Sequence, residues 1–150
     1  MLFRSCSGKY ITIVHGDVAA VETSVALGEK LTGEYFVDSI VIANVHPGVF
    51  PAITGACMSD KVQVIGVVEF FFMSTMIIAA DTILKSAELE SIELRLGNGL
   101  GGKAFFVFTG DVAAVETGVD AGKKIAIKKG LLVDTEVISS LSELFIPSLL

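Results

Sequence analysis

The octapeptide Gly16-Asp17-Val18-Ala19-Ala20-Val21-Glu22-Thr23 recurs letter for letter as Gly110-Asp111-Val112-Ala113-Ala114-Val115-Glu116-Thr117, 94 positions later. In a chain of 150 residues, eight consecutive identities mark an internal repeat. The match extends outward: Gly8-Lys9 with Gly102-Lys103, Val25 with Val119, Gly28 with Gly122, and Lys30 with Lys124. The offset then slips by two, pairing Val37-Asp38-Ser39 with Val133-Asp134-Thr135, Val41-Ile42 with Val137-Ile138, and Pro51 with Pro147. The first copy therefore has a helix-to-strand connection two residues shorter than the second.

The second copy is the longer at its front. Residues 61–72, rich in Val, Ile and Phe, predict a strand. Residues 74–87 predict a helix with Ser74 as N-cap. Residues 90–96 alternate, placing Ile92, Leu94 and Leu96 on one face and Glu93 and Arg95 on the other. A glycine-rich loop, residues 97–102, leads to a strand over 104–108, a helix over 111–127 begun by Asp111, and a last strand over 131–138. The order β-α-β-β-α-β predicts an α+β fold of the ferredoxin-like kind, with helices on one face of a four-stranded sheet.

The first copy starts at the equivalent of Arg95. It holds the loop, a strand over 10–14, a helix over 17–31 and a strand over 37–43, but no counterpart of the opening strand and helix. In this topology the opening strand is central, and without it two strands lack the neighbour between them, leaving backbone groups unpaired. Either the chain is shorter than the natural protein or something else fills the gap. The polar segment 54–60, with Cys57, Ser59 and Asp60, reads as the linker. It divides the chain into an incomplete domain over 1–59 and a complete one over 60–150.

Composition sets further bounds. Hydrophobic residues make up 52% and charged residues 19% of the chain, and the formal charge is −6. Such a chain is neither disordered nor a partner for a nucleic-acid backbone. It is apolar enough to bury surface between subunits. The most apolar run, residues 62–80, is interrupted by Glu69, so no membrane span is expected. No positively charged leader precedes an apolar segment and a cleavage site, and the expectation is a cytoplasmic oligomer. Two cysteines, Cys6 and Cys57, are too few for a disulfide framework.

The candidate catalytic motifs weaken in context. Gly97, Gly99 and Gly102 have dinucleotide-loop spacing, but a strand follows them where the fingerprint needs a helix N-terminus. Read as a phosphate loop, Gly97 to Lys103 is followed by Ala104 where a Ser or Thr should hold magnesium. His15 and His46 each stand alone in loops, without metal-ligand spacing. Asp17, Glu22, Asp111 and Glu116 sit near helix starts in both copies, which fits capping and the helix dipole rather than one active site. No enzyme is expected. Cys6, in the first-copy loop where the second has Leu100, is a single thiolate. An iron–sulfur cluster needs more ligands than one chain offers there, unless rotational symmetry brings several copies together. A loop cysteine with no ligand is the plainer alternative.

With these residues read, the segment Ala80-Asp81-Thr82-Ile83-Leu84-Lys85-Ser86-Ala87, the loop ending Gly102-Lys103, and Gly110-Asp111-Val112-Ala113-Ala114-Val115 together resemble the bacterial microcompartment shell domain. The tandem copy is similar to its two-domain, trimer-forming members, among them the T-type of the propanediol-utilisation compartment. Residues 37–47 and Pro51-Ala52-Ile53 resemble the ending of the first domain in that type.

The resemblance implies pseudohexagonal homotrimers that tile with other shell proteins around an enzyme set in a cytoplasmic polyhedral body. It implies a central pore ringed by Ser5, Cys6, Ser7 and Gly8 and by Asn98, Gly99, Leu100 and Gly101. It puts Lys85 at the tile edge. It also implies that Cys6 ligates a 4Fe-4S cluster on the three-fold axis, one per trimer, passing electrons to an encapsulated redox enzyme. The family's Cys-Pro-Gly-Lys is here Cys6-Ser7-Gly8-Lys9, with Ser7 in place of the proline. The alternatives are an open pore conducting small metabolites without a cluster, or a fragment unable to assemble a shell.

Overall fold

Strand β3 (Val64–Phe70) is apolar along nearly its whole length, and it occupies the centre of the only sheet with a helix-covered face among the described residues. A computed structural model describes residues 2–4, 8–57, 62–97, 99–129 and 131–142. The elements preceding β3 are β1 (Leu2–Arg4), β2 (Tyr10–Thr12), α1 (Val18–Thr32), a 3₁₀ turn (Gly33–Tyr35) and α2 (Val49–Thr54). After it come α3 (Met73–Ser86), β4 (Glu90–Leu96), β5 (Ala104–Gly110), α4 (Val112–Lys129) and β6 (Leu132–Ile138). The sheet order β4-β5-β3-β6 is antiparallel throughout, so the second copy has the predicted β-α-β-β-α-β topology with its first strand central.

Alternation sorts the sheet's side chains. Val64, Val68 and Phe70 face α3 and α4 together with Phe106 and Phe108, and meet Met76, Ala79, Ala80 and Ile83 from α3 and Val115, Val119 and Ala126 from α4. Burying each of these phenylalanines contributes roughly 1.5–3 kcal/mol. Ile65 and Val107 point to the other face, where Val67, Phe105 and Leu141 join them. Ile92 belongs to this second group, against the expectation that it shares a face with Leu94 and Leu96. The pairing shifts between Ser91 and Glu93, so Ile92 is the extra residue of a β-bulge and its side chain is turned through the sheet.

Glycines permit the closest approaches. A Cβ on Gly66, which faces Phe108 across the β3–β5 pair, would lie 2.5 Å from the Phe108 ring and 3.0 Å from Val115. On α4, a Cβ at Gly118 would lie 2.7 Å from Leu89 and 2.9 Å from Phe108, and one at Gly122 would lie 3.0 Å from Ile83.

The first copy uses the same local signals with a different result. Asp17 caps α1, its carboxylate accepting from the amides of Ala19 (3.0 Å) and Ala20 (3.4 Å), as Asp111 accepts from Ala114 (2.7 Å). Yet α1 has no buried residue, whereas Val115 and Val119 of α4 are 0% and 3% exposed. Strand β2 ends at Thr12 and pairs with β1 alone. Residues 37–43, expected as a strand, form none. Their counterpart β6 is paired to β3, and among the described residues the first copy has no strand in that place to pair with.

The tail of the first copy is fastened to the second. Helix α2, unforeseen from the sequence, packs on β4 and α3, with Val49 and Ala52 in the main core. The buried Asp81 on α3 accepts from the His46 backbone amide at 2.7 Å and from Lys85 Nζ at 2.7 Å, and Lys85 also donates to the Asn44 carbonyl at 2.8 Å. Ser91 donates to the Gly48 carbonyl at 2.8 Å and lies 3.3 Å from Cys57 Sγ. Ser74 does not cap α3, whose N-cap is Phe72 with no side-chain bond; its hydroxyl donates to the Asp38 carboxylate instead.

Two substitutions test this packing in denaturant melts. Gly66→Ala should lower stability by about 1–3 kcal/mol, because the Phe108 ring is fully buried and has no room to yield; an unchanged midpoint would contradict the close contact. Asp81→Asn should cost about 1–3 kcal/mol through loss of the charge-assisted bonds to His46 and Lys85, and should make the 44–57 segment more susceptible to protease. A variant as stable and as resistant as the parent would show that the carboxylate does not hold the tail.

Candidate functional site

The glycine-rich loop of the second copy follows β4 and is met there by a side chain of the first copy. In the second copy the loop after β4 reverses through glycines with positive φ, among them Gly99 (74°) and Gly102 (95°), a conformation that side-chain-bearing residues rarely adopt. Two turns brace it: Leu100 N–H donates to the Gly97 carbonyl at 3.4 Å, and Lys103 N–H to the Leu100 carbonyl at 3.2 Å. Lys103 Nζ then pairs with Glu69 Oε1 at 2.6 Å, tying the base of the loop to the central strand. Lys9, the repeat equivalent of Lys103, reaches across from the first copy, its Nζ 3.0 Å from where a Cβ on Gly102 would stand. Gly99, Leu100 and Gly101 thus lie on the loop that Lys9, next to Gly8 in the first copy, reaches. Ser5, Cys6, Ser7 and Asn98 lie outside the described residues.

The donor chemistry for a metal centre is sparse within one chain. Among the described residues no group of three or more His, Cys, Asp or Glu side chains stands together in a way that could hold a metal ion. Cys57 is not a second ligand near the loops. It packs against the main core and touches Ser91 at the start of β4, roughly 17 Å along that strand from the loop that follows Leu96. A cluster at Cys6 therefore fits only if several chains each contribute that thiol.

The other singled-out residues have structural roles. Asp17 and Asp111 cap helices, and Glu22 and Glu116 are exposed on the same helices. The second loop runs into β5 rather than a helix, so it lacks the N-terminus a dinucleotide pyrophosphate requires. His15 is exposed, edge-on to Phe50 at 6.4 Å. His46 is half-buried, and its Nδ1 accepts from the Gly48 amide at 3.2 Å. Lys85 has a side chain 39% exposed, with Asp81 and Asn44 as its intramolecular partners. No helix among the described residues is long and apolar enough to cross a membrane.

The Asp81 junction was not read from the sequence as a unit. Its signal was an acidic residue in the apolar stripe of α3, which requires a buried partner. That the partner is a backbone amide 35 positions earlier has no sequence signature.

Comparison with known proteins agrees with this arrangement. The BMC domain matches residues 2–45 and 64–141, a partial and a fuller copy. The chain is 39% identical over 133 residues to the bacterial microcompartment shell protein PduT of Citrobacter freundii, a match covering 89% of this chain and 72% of that protein. It is 40% identical to a microcompartment protein from Desulfitobacterium hafniense of known crystal structure, with a TM-score of 0.83 over 88% of this chain and 73% of the other. A β-α-β-β-α-β domain preceded by a partial repeat of it and these relatives lead to one conclusion: the chain belongs to the bacterial microcompartment shell-protein family, structural rather than catalytic components of a cytoplasmic polyhedral body.

Proposed function

We propose that this chain, with domains over 1–59 and 60–150, is a trimeric shell tile whose loops 5–8 and 98–101 surround a pore, with Cys6 of three chains ligating a 4Fe-4S cluster at the axis. The observation that supports the reading is the reach of Lys9, which follows the first-copy loop in sequence, to Gly102 in the second-copy loop. One chain carries two loops alike in sequence, and three chains would close them into a ring of six by rotational symmetry. The resemblance of Cys6-Ser7-Gly8-Lys9 to the family's Cys-Pro-Gly-Lys loop supports the cysteine assignment. Small residues at Ser5, Ser7 and Gly8 suit a close approach to an axis, and loop amides would offset the negative charge of thiolate-bound iron. Such a cluster supplies one-electron transfer across the shell, to a redox enzyme inside. Lys85 has one ammonium hydrogen beyond its two internal bonds, which suits a lateral contact with a neighbouring tile.

Sedimentation at high concentration should give a trimer; a monomer alone would contradict the tile. After anaerobic reconstitution, iron and sulfide should each approach about four per trimer, with a paramagnetic signal on reduction. Cys6→Ser should abolish both and Cys57→Ser should keep them. Trimers without stoichiometric iron, or a cluster retained in Cys6→Ser, would make the assembly an open pore instead. Lys85→Ala should still trimerise, losing about 1 kcal/mol or less of stability, but should fail to form ordered sheets at the parent's concentration. Unchanged sheets would remove Lys85 from the tile edge.

A further inference from the structure

The two copies of the repeat reverse their charge at one place. At the common offset of 94, Gly28-Glu29-Lys30 stands against Gly122-Lys123-Lys124, and one turn further Glu34 stands against Lys128. Residues 29–35 hold Glu29, Lys30 and Glu34, whereas residues 123–129 hold four lysines and no acid. In a chain of net charge −6 that is a concentrated positive patch.

Helix chemistry accounts for only half of this difference. Lysines in the last turns of α4 are favoured by the helix dipole, but a glutamate near the end of α1, or just beyond it, is disfavoured. Glu29, Glu34, Lys124 and Lys128 are exposed and Lys123 is half-buried. None of the five has an ion pair among the described residues. Glu29 accepts from the neutral Ser39 hydroxyl, which requires an acceptor but no charge. No contact among the described residues explains why the first copy is acidic where the second is basic.

Each patch also has an exposed apolar residue at its centre. Ile127, between the lysines of α4, is 68% exposed, and Tyr35, beside Glu34, is 82% exposed. The basic patch lies at the loop end of the second copy. Leu131 N–H donates to the Ala126 carbonyl and the Phe71 N–H to the Leu131 carbonyl, both at 3.0 Å. Leu132 then pairs with Phe70, Phe70 with Ala104, and Ala104 with Leu96, where the glycine loop begins. Chains that gather their loops about an axis therefore gather these helix ends as well. Basic ends side by side there repel one another, and basic ends beside acidic ones attract.

We propose that the basic end of α4 in one chain docks against the acidic end of α1 in a second copy of this chain, with Lys123 and Lys128 opposite Glu29 and Glu34. The inference rests on the trimer reading and adds what decides the order of the repeats, first copy beside second and never like beside like. Contact between two different surfaces of successive copies is head-to-tail, the kind that closes into a ring. Opposite charge selects the mating surface and like charge rejects the other.

The test is sedimentation equilibrium of the full chain over a dilution series, at low and at raised salt. The parent should associate, and less tightly as salt screens the patches. Reversing one patch, by Glu29→Lys with Glu34→Lys or by Lys123→Glu with Lys128→Glu, should weaken association about tenfold or more, because two exposed attractions become two repulsions. Reversing both patches in one chain should restore most of the loss, since the two surfaces are opposite again. The neutral pair Glu29→Gln with Glu34→Gln, which places no unfavourable charge at either helix end, should fall between the parent and the reversals. If the parent associates and the reversals leave it unchanged, or if the two-patch variant associates no better than the single-patch ones, this inference fails while the trimer reading stands. If reversing the lysines matters and reversing the glutamates does not, the basic end mates with a surface other than α1, and the inference fails likewise. A parent that stays monomeric at every concentration and salt overturns both.

Discussion

Everything in this molecule depends on where β3 lies. A strand between two others satisfies their inward-facing amides and carbonyls as well as its own, and leaving such groups without partners is costly. In the second copy β3 closes the sheet between β5 and β6 and gives both helices a surface to cover. In the first copy nothing stands in that place among the described residues. The consequences follow in order: a shortened β2, no strand at 37–43, and a helix with no buried side chain. One octapeptide thus has two fates. Its capping aspartate and helical residues start a helix in both settings, but burial comes only from the neighbour.

The first copy nonetheless retains a defined attachment. Its tail is held by Asp81, Lys85 and Ser91 of the second copy and by the insertion of Val49 and Ala52 into the core. This attachment lies along α3 and the start of β4, whereas the second-copy glycine loop follows the end of β4. The second domain therefore serves as the rigid element for both regions.

Much of this was legible in the sequence, for identifiable reasons. The repeat gave the element order, and the capping role of Asp17 and Asp111 followed from their place before an apolar helix. The glycine loops were visible as turn signals between strands. Four features were not legible. Six-residue α2 is too short for helical periodicity and contains Pro51. The bulge at Ile92 flips a residue that strict alternation assigns to the helix face. Ser74 looked like a cap, but its hydroxyl serves Asp38, 36 positions away. Residues 37–43 have a strand's alternation but lack the neighbour that would make it one, since a strand is a property of a pair. At the site, the loops could be named from the repeat, whereas the closeness of Lys9 to Gly102 is a product of tertiary structure alone.

The central claim is that the two copies, alike in sequence, differ in stability because one has its central strand and the other does not. Native-state hydrogen exchange of the isolated chain measures this directly. Amides of β3, β5 and α4 should exchange only through global unfolding. Those of α1, a fifteen-residue helix with no buried side chain, should open locally and exchange at least a hundredfold faster than their letter-for-letter counterparts in α4. Equal protection of residues 18–23 and 112–117 would contradict the account, because the first copy would then be as well supported as the second.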